Sequence, residues 1–338
     1  MAEGLVISDV TYAGEAASYM ITRAVVGADT IEKGCINVQD GIKKKFTIPR
    51  VEVSGMFQKR KATPTSQGAH TVDAVTITPQ DIMLYTEFNP RDYEAHWFAT
   101  QLNTKLIDEQ LPQTAEAFTM MQVMKRSNEF FENQIWRGRI DYDLDGNAVD
   151  PTTKGDLAGA SAYYFFDGII KKALDNSGTV QVSSPATLVS GTAGAGEENI
   201  GIALYRAYSL VPDALKFKYG VGGLKVLMSY GTKLVYEQFL TVTNNFKNND
   251  TTEKGIDRYL GYDIVPLAGI PANTFIFCIA KPDIDSNLWL GVNSMEDNQL
   301  QLQRLQNNSE LFFIKGLFKM DTQIGFADQL VIYTKLTA

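Results

Sequence analysis

Two cysteines and two histidines in 338 residues set the first limits. Cys35 and Cys278 lie far apart in sequence, so neither a disulfide framework nor a cysteine-based zinc site is expected, and a reducing compartment fits best. His70 and His96 leave few side chains that titrate near neutral pH, which weakens most general-base readings. Apolar runs of about 18 residues are absent, and MAEGLVISDVTYAGEAASYM has neither the basic start nor the continuous apolar core of a secretion signal. The chain reads as a soluble protein made in a cytoplasm. A basic surplus is missing too: 31 Lys plus Arg against 39 Asp plus Glu give −8, which argues against a dedicated nucleic-acid binder.

Catalytic signatures are equally scarce. No H-x-x-x-H pair, G-x-S-x-G elbow or Cys/His cluster occurs. GTAGAG at 191–196 lacks the Lys-Ser/Thr pair of a phosphate loop and reads as a flexible connection. The sharpest candidate is DYDLDGNAVD at 141–150. Asp141, Asp143, Asp145 and Gly146 follow the start of a calcium loop, but the twelfth position, where a bidentate Glu belongs, is Thr152. A solvated turn is the expectation. No catalytic residue, metal ligand or cofactor is assigned.

What is present is 44% hydrophobic residues, enough for a sizeable core, in an α+β order. Residues 1–35 read as an extended arm with a short helix around Glu15 to Val25. KKKFTIPRVEVSG alternates apolar and polar residues and suits an edge strand interrupted by Pro49. The polar tip FQKRKATPTSQGAH follows, and TVDAVTITPQDIMLYTEF returns as one or two strands, making a long two-stranded hairpin over about 42–86. Such a ribbon is marginal alone. Its charge is distinctive: within 41–72, Lys43, Lys44, Lys45, Arg50, Lys59, Arg60 and Lys61 face only Glu52, a net +6, leaving −14 on the rest of the chain. A basic hairpin on an acidic protein asks for an acidic partner, and another copy of the chain is the nearest supply. Phe46 and Phe57 are its only interleaved aromatics, too few for a nucleic-acid stacking platform.

From Leu111 to Arg137, Pro112 begins a helix with Ala115, Phe118, Met121, Met124, Asn128, Phe131 and Ile135 at spacings of three and four. That length spans about 40 Å and suggests a structural spine. Beyond it, SAYYFFDGIIKKALDN and IGIALYRAYSLVPDALKF read as helices, GLKVLMSY and TFIFCIAKP as strands flanking the helix GTKLVYEQFLTV, and the tail is rich in strand.

In this order, the pieces resemble the major capsid proteins of tailed phages of the Hong Kong 97 type. LKVLMSYGTKLVYEQFL is similar to that family's strand and following helix, DRYLGYDIVPLAGIPANTFIFCIAKPD to its apolar-strand-Pro passage into a buried strand, and LWLGVNS and GLFKMDTQIGFADQLVIYT to its closing segments. The resemblance implies a Hong Kong 97-like capsid fold. Its parts would be an N-terminal arm at 1–35, an extended β-hairpin E-loop at 36–95, a peripheral domain with a long spine helix at 96–165 plus 285–338, and an axial domain at 166–284.

It further implies a non-enzymatic subunit of an icosahedral head shell around double-stranded DNA, assembled in the host cytoplasm. Hexamers and pentamers, a separate scaffolding protein, a portal protein, decoration proteins, and packaged DNA held without sequence-specific binding would accompany it. No membrane partner is expected. Lys43, Lys44, Lys45, Lys59, Arg60 and Lys61 would serve E-loop contacts between subunits. The alternatives are an encapsulin-like nanocompartment shell of the same fold, or a calcium-dependent binding module or enzyme.

Overall fold

The computed structural model describes residues 10–12, 29–66, 68–88, 112–140, 165–216, 223–242, 258–293, 300–304 and 312–336. The expected helix at Glu15 to Val25, His96 and the acidic stretch 141–150 lie outside the described residues.

In chain order the first strands are β1 (Val10–Tyr12), β2 (Asn37–Gln39), β3 (Phe46–Ser54), β4 (Ala69–Ile77) and β5 (Gln80–Phe88), with the short helix α1 (Asp29–Glu32) ahead of β2. Helices α2 (Pro112–Arg137) and α3 (Ile169–Asp175) follow, then β6 (Val180–Gln181), β7 (Thr187–Val189) and β8 (Glu197–Asn199). Next come α4 (Ile200–Leu210), α5 (Asp213–Lys216), β9 (Leu224–Met228) and α6 (Tyr230–Val242). The chain closes with β10 (Arg258–Tyr259), β11 (Tyr262–Pro266), β12 (Phe275–Ile279), β13 (Leu288–Val292), β14 (Leu300–Arg304), β15 (Phe312–Ile324) and β16 (Val331–Tyr333).

Two six-stranded sheets organise these elements. The first runs β1-β14-β15-β13-β2, with β5 also paired to the long β15; the second runs β10-β11-β9-β12-β16-β6. Strand β12 has no exposed residue because the second sheet is covered on both faces. Ile276 and Cys278 point into a core shared with Phe131, Ile135 and Trp136 of α2. Phe275, Phe277 and Ile279 point into a second core with Ala203, Leu204 and Ala207 of α4. On the first sheet, Phe131 of α2 meets Phe318 of β15 edge to face at 5.3 Å.

The helix expected from Leu111 forms as α2, starting at Pro112, where a missing N–H costs nothing. Its end is fixed by a close backbone approach. Gly168 N donates to Gly138 O at 2.7 Å, and a Cβ on Gly168 would fall 2.8 Å from the Trp136 carbonyl. That contact also corrects the helix read over SAYYFFDGIIKKALDN, which begins only at Ile169 after Gly168. The helix read over IGIALYRAYSLVPDALKF is likewise two pieces, because Val211 before Pro212 is extended, at ψ 130°.

A buried polar network ties α1 to α2. Thr30 donates from its N (3.0 Å) and Oγ1 (2.7 Å) to the Glu132 carboxylate. Trp136 Nε1 donates to Thr30 Oγ1 at 2.7 Å. Burial pushes the Glu132 carboxyl up, against the three hydrogen bonds from Thr30 and Gly269 that favour its charge. Cys35 and Cys278 are free thiols, both buried.

Candidate inter-subunit interface

Strands β3 and β4 form a sheet of their own, antiparallel over nine residue pairs from Phe46↔Ile77 to Ser54↔Ala69. The ribbon expected over 42–86 is therefore shorter. Strand β5 turns away at Thr78 and pairs with β15 instead, from Gln80↔Met320 onward. This happens because Ile82 has an apolar place in the main core, whereas the ribbon offers none.

The foot of the ribbon is anchored. Ile48 and Ile77 join Ile42 and Trp289 in a small apolar cluster. Gly291 of β13 makes room for it: a Cβ there would lie 2.6 Å from Ile77 Cγ2. Thr78 N donates to Asp321 Oδ2 at 3.0 Å, and Lys172 of α3 pairs with Asp321 Oδ1 at 2.7 Å. Burial raises the Asp321 carboxyl, although the Lys172 ammonium beside it pulls the other way. Gln323 Nε2 donates to Thr76 O at 2.8 Å. Arg50 ion-pairs with Asp73 across the ribbon, donates to Gly325 O at 2.8 Å, and stands 5.6 Å from the Phe326 ring centroid.

Beyond Arg50 nothing among the described residues covers the ribbon. Val51 and Val72 are paired across it and are 60% and 73% exposed. With the neighbouring Pro49, Ala74 and Val53, also exposed, they make an uncovered apolar strip on one face. At the tip Met56 is half exposed and Phe57 is 97% exposed. The tip bends through Gly55 and Gly68, both with positive φ; a Cβ on Gly68 would meet Ser54 O at 2.5 Å.

All six basic residues singled out from the sequence are exposed, but the structure does not gather them. Lys43, Lys44 and Lys45 precede β3 at the foot, while Lys59, Arg60 and Lys61 follow its end at the tip. Nine residues at ~3.4 Å each put about 30 Å between the two groups. Sequence reasoning missed Arg50 as the clamp and the Val51/Val72 strip as a surface. The alternation around Pro49 held the signal for the strip; the clamp has none, since Gly325 lies far along the chain.

Asp141, Asp143 and Asp145 lie outside the described residues, among which no group of three metal-ligating side chains occurs. No helix among the described residues is long and apolar enough to cross a membrane.

No protein-family model and no curated protein matches the sequence. Solved structures do. A chain of the satellite phage P4 procapsid superposes with TM-score 0.57 at 9% identity, over 95% of this chain and 99% of the other. The capsid of Myoviridae phage XM1 gives 0.53 at 11% identity, over 99% and 96%. The capsid of a native GTA particle gives 0.50 at 10% identity, over 98% and 94%. At such identities it is the backbone arrangement that is shared, end to end. The chain has the mixed helix-and-sheet fold seen in these phage capsids.

Proposed function

We propose that this chain is a major capsid protein, a non-catalytic subunit that self-assembles into the icosahedral head shell of a tailed phage. The observation that carries the reading is the coincidence of its fold, over nearly its whole length, with capsid chains, in a subunit whose ribbon is bare among the described residues. In the Hong Kong 97 scheme, residues 36–95 are the E-loop with the ribbon as its arm, α2 is the spine helix of a peripheral domain at 96–165 plus 285–338, and 166–284 is the axial domain. Residues 1–35 are the arm.

The charge distribution supports the same reading. A ribbon region of +6 against a remainder of −14 favours contact between unlike surfaces of identical chains, and such head-to-tail contacts form rings when the rotation between copies closes. The acidic average also limits adhesion to packaged DNA. Lys43, Lys44, Lys45, Lys59, Arg60 and Lys61 act in this scheme as contact residues between subunits. A separate scaffolding protein, a portal and decoration proteins belong to it as partners, with assembly in the host cytoplasm.

Negative-stain electron microscopy of the expressed protein, alone and with a candidate scaffolding protein, tests the reading. Capsomer rings or closed shells are expected. Small discrete particles under every condition would overturn it.

A further inference from the structure

The two cysteines lie far apart in sequence, yet the fold brings both into one core. Cys278 stands on the face of β12 that carries Ile276 and Ala280, and Cys35 follows closely on α1. Both are buried free thiols.

Lys225 locates one against the other. It is the antiparallel partner of Cys278 across β9 and β12, so the two side chains leave the same face of the sheet with Cβ atoms about 5 Å apart. Lys225 Nζ donates to Gly34 O at 3.3 Å, the carbonyl of the peptide that leads into Cys35. Gly34 in turn lies against the residue run beyond β12: a Cβ on it would be 3.6 Å from Pro282 Cδ. Past Cys35 the chain enters β2, where Asn37 pairs with Trp289, and Asn287 N donates to Ile279 O, next to Cys278, at 2.9 Å.

The stretch that ends in Cys35 is clasped to the body by polar contacts. Cys35 N donates to Thr30 O at 3.0 Å, Lys33 Nζ to Pro266 O at 2.6 Å, and Ala268 N to Asp29 Oδ2 at 3.0 Å. Burial raises both thiols above their ordinary value. Around Cys35 the ammonium groups of Lys225 and Lys33 oppose the rise, while Asp29 and Glu132 add to it. Around Cys278 a charge on Cys35 adds to the rise and Lys225 opposes it. With two cations beside it, Cys35 is the better placed to attack, which leaves Cys278 to resolve.

We propose that Cys35 and Cys278 are a redox pair whose disulfide staples the stretch after α1 to the central strand β12. The oxidant is a small-molecule disulfide, for which glutathione disulfide serves as probe. The Cys35 thiolate attacks one of its sulfurs and releases the first glutathione thiol. Cys278 gives up its proton, attacks Cys35 Sγ in the mixed disulfide and releases the second. Two protein thiols are oxidised and one glutathione disulfide is reduced to two thiols. In a reducing cytoplasm the pair stays open; in an oxidising medium the staple closes a loop over most of the chain and restricts the unfolded state. The inference is independent of the shell reading.

Refolding the full chain from urea in a glutathione mixture rich in the disulfide tests it, because refolding removes the barrier that burial sets to the oxidant. After labelling with maleimide in denaturant, the intact mass should show the loss of two hydrogens and no label. C35A and C278A should each keep one cysteine, either labelled or joined to glutathione. Urea unfolding of the oxidised chain should have a midpoint about 1 M above that of the reduced chain, and dithiothreitol should abolish the difference. Synthesis in a host strain with an oxidising cytoplasm, read by the same labelling, serves should refolding fail. Two labelled thiols, or a glutathione on each cysteine, would overturn the pair. So would a disulfide that lowers the midpoint, since the fold would then have to strain to reach it. Any of these results leaves the shell reading standing.

Discussion

The ribbon β3–β4 and the buried strand β12 are both made of β-branched and aromatic residues, yet one is nearly bare and the other fully enclosed. Phe275 at the head of β12 lies flat against Tyr333, with ring centroids 4.8 Å apart and 7° between planes. Val51 and Val72 in the ribbon touch little beyond each other. The difference is in layers, not in propensity. A strand in a covered sheet buries both faces, whereas beyond its foot the two-stranded ribbon has no third element over it among the described residues. Order within the subunit is therefore paid for in the body, and the ribbon draws its stability from its foot and from what it meets.

Substitutions should break that contrast in a graded way. Phe275→Ala, by opening a cavity between two layers, should cost the isolated subunit about 4 kcal/mol in urea unfolding. Asp321→Ala should cost about 3 kcal/mol, since it strips the buried partner from Lys172 and leaves Thr78 N without its acceptor at the point where β5 departs from the ribbon. Arg50→Ala, at the junction of the two regions, should cost about 1 kcal/mol. It should also raise amide exchange along β3 and β4 while leaving β12 protected. Val51→Ser with Val72→Ser should change the free subunit by less than about 0.5 kcal/mol. If the strip meets a neighbour, the same pair should lower the midpoint at which assembled particles dissociate.

The buried carboxylates sharpen the contrast through pH. Burial raises the Glu132 carboxyl above its ordinary value. The folded state then binds that proton more tightly than the unfolded chain does. This contribution is fully present below the unfolded pKa and is lost as pH rises through the folded one. The stability of the unchanged chain relative to Glu132→Gln should therefore grow as pH falls from 7 toward ~4. A difference independent of pH would show that Glu132 titrates as an exposed carboxylate does.

Much of this architecture was legible in the sequence, for identifiable reasons. Pro112 and the three-and-four spacing through Ile135 announced α2, because a helix needs only local hydrogen bonds and one apolar stripe. The continuous apolar run TFIFCIAKP announced a buried strand, and the hairpin was visible in its alternation, its polar tip and its +6 charge. Boundaries set by distant contacts were hidden. The start of α3 depends on Gly168 lying against Gly138 and Trp136, and the departure of β5 depends on a partner strand more than two hundred residues away.

The candidate interface divides the same way. The basic residues of the tip could be counted from the sequence, since charge is a property of composition. The alternation behind the Val51/Val72 strip was legible as well, but its exposure and the Arg50 clamp were not, since both depend on residues far along the chain.

By itself, then, the sequence determined the periods, the helix start, the hairpin and the separation of charge, all of which follow from residues near one another in the chain. Only the tertiary structure decided where the hairpin ends, which carboxylates are already paired and which apolar surface is left uncovered. Burial and pairing are sums over neighbours in space, and no local pattern encodes them.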